Sequence, residues 1–122
     1  MIKKLLLMSF LLLILTACRS VGQSISPQDA KAMMEENNQI ILLDVRTKEE
    51  FDQGHIPNAT LFPLLILESQ ITTHYPDKKQ IFIIYCRSGV RSAEAVQIML
   101  GLGYSNIYDL GGIIDWPYNI TQ

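Results

Sequence analysis

Ile81-Phe82-Ile83-Ile84-Tyr85-Cys86-Arg87-Ser88-Gly89-Val90-Arg91-Ser92 is the stretch on which the fold turns. Ile81–Tyr85 is wholly apolar and rich in β-formers, the pattern of a strand buried on both faces rather than of an alternating surface strand. Cys86–Arg91 has no regular period. Ser92–Leu102 then carries apolar residues at Ala93, Val96, Met99 and Leu100, the spacing of a helix, with Gly103 as its C′ residue. A buried strand that passes through a six-residue loop into a helix is one half of an α/β unit.

Working outward, the same grammar repeats. Ser26-Pro27 reads as N-cap and first position of a helix reaching about Glu36, with Asp29 in its first turn, and Asn37-Asn38 ends it. Ile40–Val45 is a second near-continuous apolar run. Thr47–Gln53 is a short helix ended by Gly54, Pro57-Asn58 a turn, Thr60–Phe62 a brief extended segment and Leu64–Thr72 a further helix. Pro76–Lys79 is a polar loop, Asn106–Leu110 a last strand and Gly111-Gly112 a sharp turn. Strands alternating with helices predict an α/β domain with a central, mostly parallel sheet covered on both faces. Ligands collect at the carboxyl ends of such strands. Asp44-Val45-Arg46, Cys86–Arg91 and Gly111-Gly112 all fall there.

The loop has a chemistry of its own. A glycine-containing turn that leads directly into a helix can aim successive backbone N–H groups at one point, and the helix start adds partial positive charge. Arg87 and Arg91 add two full charges. A thiol at the centre of that cradle is expected as thiolate at neutral pH, beneath a pocket for an anion. The plainer reading is a buried structural cysteine beside two solvated arginines. Two arginines and a glycine within six residues favour the reactive one.

Asp44-Val45-Arg46 with Glu50-Phe51, Gly54-His55-Ile56-Pro57-Asn58-Ala59, Cys86-Arg87-Ser88-Gly89-Val90-Arg91-Ser92, and Gly111-Gly112 with Trp116 stand in that order. Together they resemble a single-domain rhodanese over about residues 26–118. The resemblance implies a three-layer domain in which a cysteine takes a sulfane sulfur from a donor such as thiosulfate and passes the persulfide sulfur to cyanide or a thiol, small or on a protein. Cys86 occupies the nucleophile position. Arg87, Ser88, Gly89, Val90 and Arg91 would hold the donor's anionic oxygens. The related cell-cycle phosphatases carry C-x5-R, whereas Cys86 to Arg91 is C-x4-R, a tighter cradle that sides with sulfur transfer.

Around the loop, Asp44 is expected to support it by accepting from an arginine, with Arg91 turning toward Asp44 beneath the loop. Arg46 is expected to pair with Glu49 or Glu50. His55 is either a general base for Cys86 or, as we read it, bonded to backbone near the Pro57 turn. His74 falls in a polar loop, and Trp116 packs at the C-terminal end. No cluster has metal-ligand spacing and no nucleotide-type glycine loop is present, so no metal or cofactor is expected. Two other readings stay open: a non-enzymatic sulfur-carrier or protein-binding module, and a thiol hydrolase built on a Cys86–His55 pair.

The 122 residues begin differently. Lys3 and Lys4 precede an apolar run, Leu5–Leu15, relieved only by Ser9; eleven residues suit a secretory leader and are about half a membrane span. Leu15-Thr16-Ala17-Cys18 resembles the bacterial lipobox, against the simpler reading of an ordinary signal peptide. The expected organisation is therefore a removed leader over 1–17, a tether over 18–25 starting at lipidated Cys18, and the domain over 26–120. Arg19 is not the aspartate that often retains lipoproteins at an inner membrane. The extracytoplasmic face of a bacterial membrane follows, the outer one in a host with two. Without Lys3 and Lys4, eight basic residues face twelve acidic ones, a net charge of −4, which argues against nucleic acid as a partner. With Cys18 committed to lipid, Cys86 is alone, and a lone thiol must be buried, paired between chains or reactive.

Overall fold

The computed structural model describes residues 22–122, and the leader and Cys18 lie outside them. Five parallel strands, β1 (Gln23–Ser24), β2 (Ile41–Asp44), β3 (Thr60–Leu61), β4 (Phe82–Cys86) and β5 (Ile107–Gly112), form one sheet in the order β1-β5-β4-β2-β3. The helices are α1 (Pro27–Glu36), α2 (Lys48–Gln53), α3 (Leu64–His74) and α4 (Val90–Gly101), and a single 3-10 turn covers Ile113–Asp115. The expected α/β architecture holds, with every strand pair parallel.

Alternation along β4 divides the core. Phe82, Ile84 and Cys86 face α3 and α4 with Leu43, Leu67 and Met99. Ile83 and Tyr85 face α1 with Leu42, Ala30 and Ile56. A strand buried on both faces needs apolar residues at successive positions, and this is why Ile81–Tyr85 shows no alternation of polarity. The thiol of Cys86 thereby points to the α3/α4 side at the sheet's carboxyl edge.

The helix ends follow local chemistry. Ser26 Oγ accepts from the Asp29 amide at 3.1 Å, with Pro27 opening α1. Thr47 and Glu50 form a reciprocal capping box on α2. At the end of α4 the Gly103 amide donates to Leu100 and that of Tyr104 to Met99, the paired bonds of a Schellman motif.

Four elements differ from expectation. The polar segment read as tether contributes β1, pairing Gln23 with Tyr108 and Ser24 with Asp109; β5 would otherwise leave its outer edge open, and a two-residue polar strand closes it. Helix α4 starts at Val90 instead of Ser92, because Gly89 at φ +107° turns the chain into the helix at once. Gly111-Gly112 is strand, not turn: the register slips between Ile84/Asp109 and Tyr85/Gly111, so Leu110 is the extra residue of a bulge that Gly111, at φ +84°, accommodates. His74 lies in the last turn of α3 and not in a loop, its Nδ1 against the Gln70 carbonyl.

Candidate active site

Register brings the three expected segments together, because Asp44 pairs with Tyr85, Tyr85 with Gly111, and Cys86 with Gly112. Cys86 is 1% exposed. The Gly89 amide donates to its Sγ at 3.0 Å, so the loop closes over the sulfur. Gly89 is the N-cap of α4 and has no side chain that could cap the helix, which leaves the first amides of α4 free of a side-chain acceptor at the loop's mouth. Arg87, Ser88 and Val90 are exposed on the rim, while Arg91 is half-buried. The Gly89 amide faces inward and the exposed Arg87 stands outside, an arrangement suited to drawing an anion onto a sulfur nucleophile.

The ion pairs are exchanged relative to expectation. Arg91 binds Glu50, not Asp44, through two parallel bonds, Nη1 to Oε1 at 2.7 Å and Nη2 to Oε2 at 2.9 Å. Glu50 reaches it because the Thr47 capping box fixes the carboxylate on the first turn of α2, at the rim where the loop closes. The Arg91 hydrogen bond holds the Glu50 carboxyl down to about 2, against the opposing effect of burial, and the same bond raises Arg91. Asp44, fully buried, takes the amide, Nε and Nη2 of Arg46 at 2.8–3.1 Å, and Arg46 Nη2 also donates to the Gly54 carbonyl at 2.7 Å. Arg46 therefore pairs with neither Glu49 nor Glu50. Burial works against its charge, but the hydrogen bonds and attraction of Asp44 outweigh it and leave Arg46 raised. A carboxylate this deep can be matched only by a neighbour that folds back on it, and Arg46, two residues on at the strand end, does so.

Several supporting groups carried no expected role. Ser92 is buried, its Oγ 3.0 Å from the Gly89 carbonyl and 2.9 Å from Asp109 Oδ1, and Asp109 Oδ1 also accepts from the Gly111 amide at 2.9 Å. This network ties the loop and the start of α4 to the bulge of β5. A Cβ on Gly112 would stand 2.3 Å from the Arg87 carbonyl and 2.7 Å from Ser88 Cα, so only glycine lets the loop lie on β5. The Tyr85 hydroxyl accepts from the Ile56 amide at 3.1 Å, and burial, reinforced by Asp44, raises the phenol above its ordinary range and keeps it neutral.

His55 bonds to backbone as read, but to Phe51: Nδ1 lies 2.9 Å from that carbonyl and the imidazole stacks on the Phe51 ring at 3.7 Å. Its own backbone bridges to Thr121. No hydrogen bond links it to Cys86, so the Cys86–His55 hydrolase pair has no support among the described residues. Trp116 packs edge-on against Tyr118, as a closing residue should. The described residues hold no metal-binding cluster and no helix long and apolar enough to cross a membrane. A shallow cavity of about 370 Å³ opens beside Arg87, between Glu50, Gly54 and Ile114. A larger groove, about 860 Å³, lies between the end of α1 and residues 116–119 and includes none of the loop residues.

Residues 26–117 match the model of the rhodanese-like domain. The chain is 34% identical over 73 residues to the thiosulfate sulfurtransferase PspE of Escherichia coli, covering 60% of this chain and 70% of that one. It is 32% identical over 96 residues to the probable adenylyltransferase/sulfurtransferase MoeZ of Mycobacterium tuberculosis, covering 78% of this chain but only 24% of MoeZ, so it spans about a quarter of that relative's length. Among solved structures, an E. coli rhodanese with anions superposes with a TM-score of 0.63 at 30% identity, covering 68% of this chain and 98% of that one.

Proposed function

Because the chain belongs to the rhodanese-like domain family, we propose that it moves a sulfane sulfur from thiosulfate or a similar anionic donor, through a persulfide on Cys86, to a thiol or to cyanide. The observation that carries this reading is the Gly89 amide at 3.0 Å from a buried Cys86 Sγ at the open start of α4. In the first half-reaction the thiolate attacks the outer sulfur of thiosulfate, the S–S bond of the donor breaks, and sulfite leaves with the bonding pair. In the second, cyanide or a thiolate attacks the terminal sulfur of the persulfide and the Cys86 thiolate leaves. Charge is conserved in both steps and no outside oxidant enters. The Gly89 amide donates to the sulfur that attacks and later leaves, and Arg87 attracts the incoming anion. The test is steady-state turnover of thiosulfate and cyanide by the parent and Cys86→Ser. The hydroxyl cannot form a persulfide, so turnover should vanish while the melting curve stays. Turnover surviving at a substantial fraction refutes Cys86 as nucleophile.

The lipobox-like Leu15–Cys18 segment supports a second part of the proposal, that the domain is tethered by lipid on Cys18 to the extracytoplasmic face of a bacterial membrane, the outer one where two are present. A single acyl chain anchors weakly, so stable attachment implies more than one.

A further inference from the structure

Small acceptors such as cyanide need only the sulfur and a way in. A larger acceptor would also touch the surface beside Arg87. Among the described residues the four most exposed large apolar side chains are Leu65, Val90, Ile114 and Ile120, at 98, 77, 62 and 57%. Scattered singly, such residues carry no meaning; collected at one edge, they mark a surface that another molecule covers. Leu65 lies in the first turn of α3, where Leu64 is bonded to Val45 at the end of β2. Val90 opens α4. The Ile114 amide donates to the Arg87 carbonyl, and Ile114 and Ile120 line the same cavity as Arg87. All four stand on segments at the sheet's carboxyl edge, the edge of the thiol, or on the wall of that cavity. Charge adds direction. Arg46 and Arg91 are neutralised by Asp44 and Glu50, whereas Arg87 is exposed and makes no ion pair among the described residues.

Resting on the sulfur-transfer reading above, we propose that the acceptor is a cysteine carried by a polypeptide, flanked by apolar residues that seat on Ile114 and Ile120 and by an acidic residue that meets Arg87. The acceptor thiol gives its proton to solvent. Its thiolate attacks the terminal persulfide sulfur, forming the acceptor persulfide as the Cys86–sulfur bond breaks and the Cys86 thiolate departs.

The experiment uses the full chain loaded with thiosulfate, freed of donor and mixed rapidly with one of three synthetic acceptors. The first is an acetylated peptide of leucine, glutamate, cysteine and isoleucine; the second has glycine at both apolar positions; the third has lysine for glutamate. Discharge is followed by intact mass. The first peptide should discharge the persulfide about tenfold faster than either of the others, and Ile114→Ser/Ile120→Ser should erase that advantage by a like factor while thiosulfate loading and cyanide discharge stay unchanged. Equal rates for the three peptides, or an equal loss with cyanide and peptide in the double variant, overturn the proposal. If Cys86 gains no sulfur from thiosulfate at all, the reading beneath it falls too, and that outcome is visible before any peptide is added.

Discussion

Replacing Glu50 by glutamine removes a charge while preserving a shape. The amide keeps one carbonyl acceptor for Arg91 and the geometry of the Thr47 capping box, so the variant isolates the ionic part of the loop's brace. Glu50 sits at about 2 in the folded protein against 4.5 unperturbed, a depressed carboxyl. Its contribution is therefore full above pH 4.5 and lost as pH falls toward 2, because below that range both folded and unfolded states hold the proton. Taken at face value the shift corresponds to about 3 kcal/mol. With Glu50 and Arg91 side chains 28% and 33% exposed, solvent screening reduces this to about 1–2 kcal/mol. For a domain near 100 residues that is a melting-temperature loss of roughly 5–10 °C at pH 7. Thermal melts of parent and Glu50→Gln between pH 7 and pH 3 provide the assay, and less than about half of the gap should remain at pH 3. An undiminished gap at pH 3, or no gap at pH 7, refutes the view that the Glu50–Arg91 pair holds the loop electrostatically.

Arg87→Ala should raise the KM for thiosulfate with little change in melting temperature, and added salt should weaken donor binding in the parent more than in this variant, since screening acts on an exposed charge; kinetics at two ionic strengths check it. Arg91→Ala should instead lower melting temperature, by about 1–2 kcal/mol of stability, and activity together, because Glu50 loses its partner; if only KM moves, the two arginines are assigned the wrong way round. Gly112→Ala forces the loop carbonyl at Arg87 aside and should cost about 1–3 kcal/mol with a fall in persulfide loading, read by melts and mass together. Cys18→Ser should abolish lipid attachment and leader cleavage before that residue, seen by membrane fractionation and the mass of the mature chain; unchanged processing rejects the lipoprotein reading.

How much of this was legible without coordinates depended on the range over which each feature is determined. The buried strands showed in Ile41–Asp44 and Ile81–Tyr85 because a two-faced strand needs unbroken apolarity, a property of composition alone. The caps of α1 and α4 were readable because Ser26 and Gly103 act within four residues of themselves, whereas Thr47, read as the first helical residue, is the N-cap of α2. The loop's charge and its cysteine were equally local. Partner choice was not. Asp44 lies in reach of two arginines in any sketch of the sheet's edge, and only the depth of Asp44 and the placement of Glu50 by α2 decide that Arg46 goes inward and Arg91 outward. Gly111-Gly112 reads as a turn in isolation; its use as a bulge and as the floor for Arg87 needs β4 alongside. Gln23–Ser24 reads as linker because an edge strand of two polar residues owes its pairing to the open side of β5 rather than to its own sequence.

Whether Cys86 carries sulfur is decided by intact-mass measurement of the chain after exposure to thiosulfate. A gain of one sulfur atom is expected, located at Cys86 by peptide mapping and removed by cyanide with release of thiocyanate. An unchanged mass, or sulfur on any residue but Cys86, would contradict it.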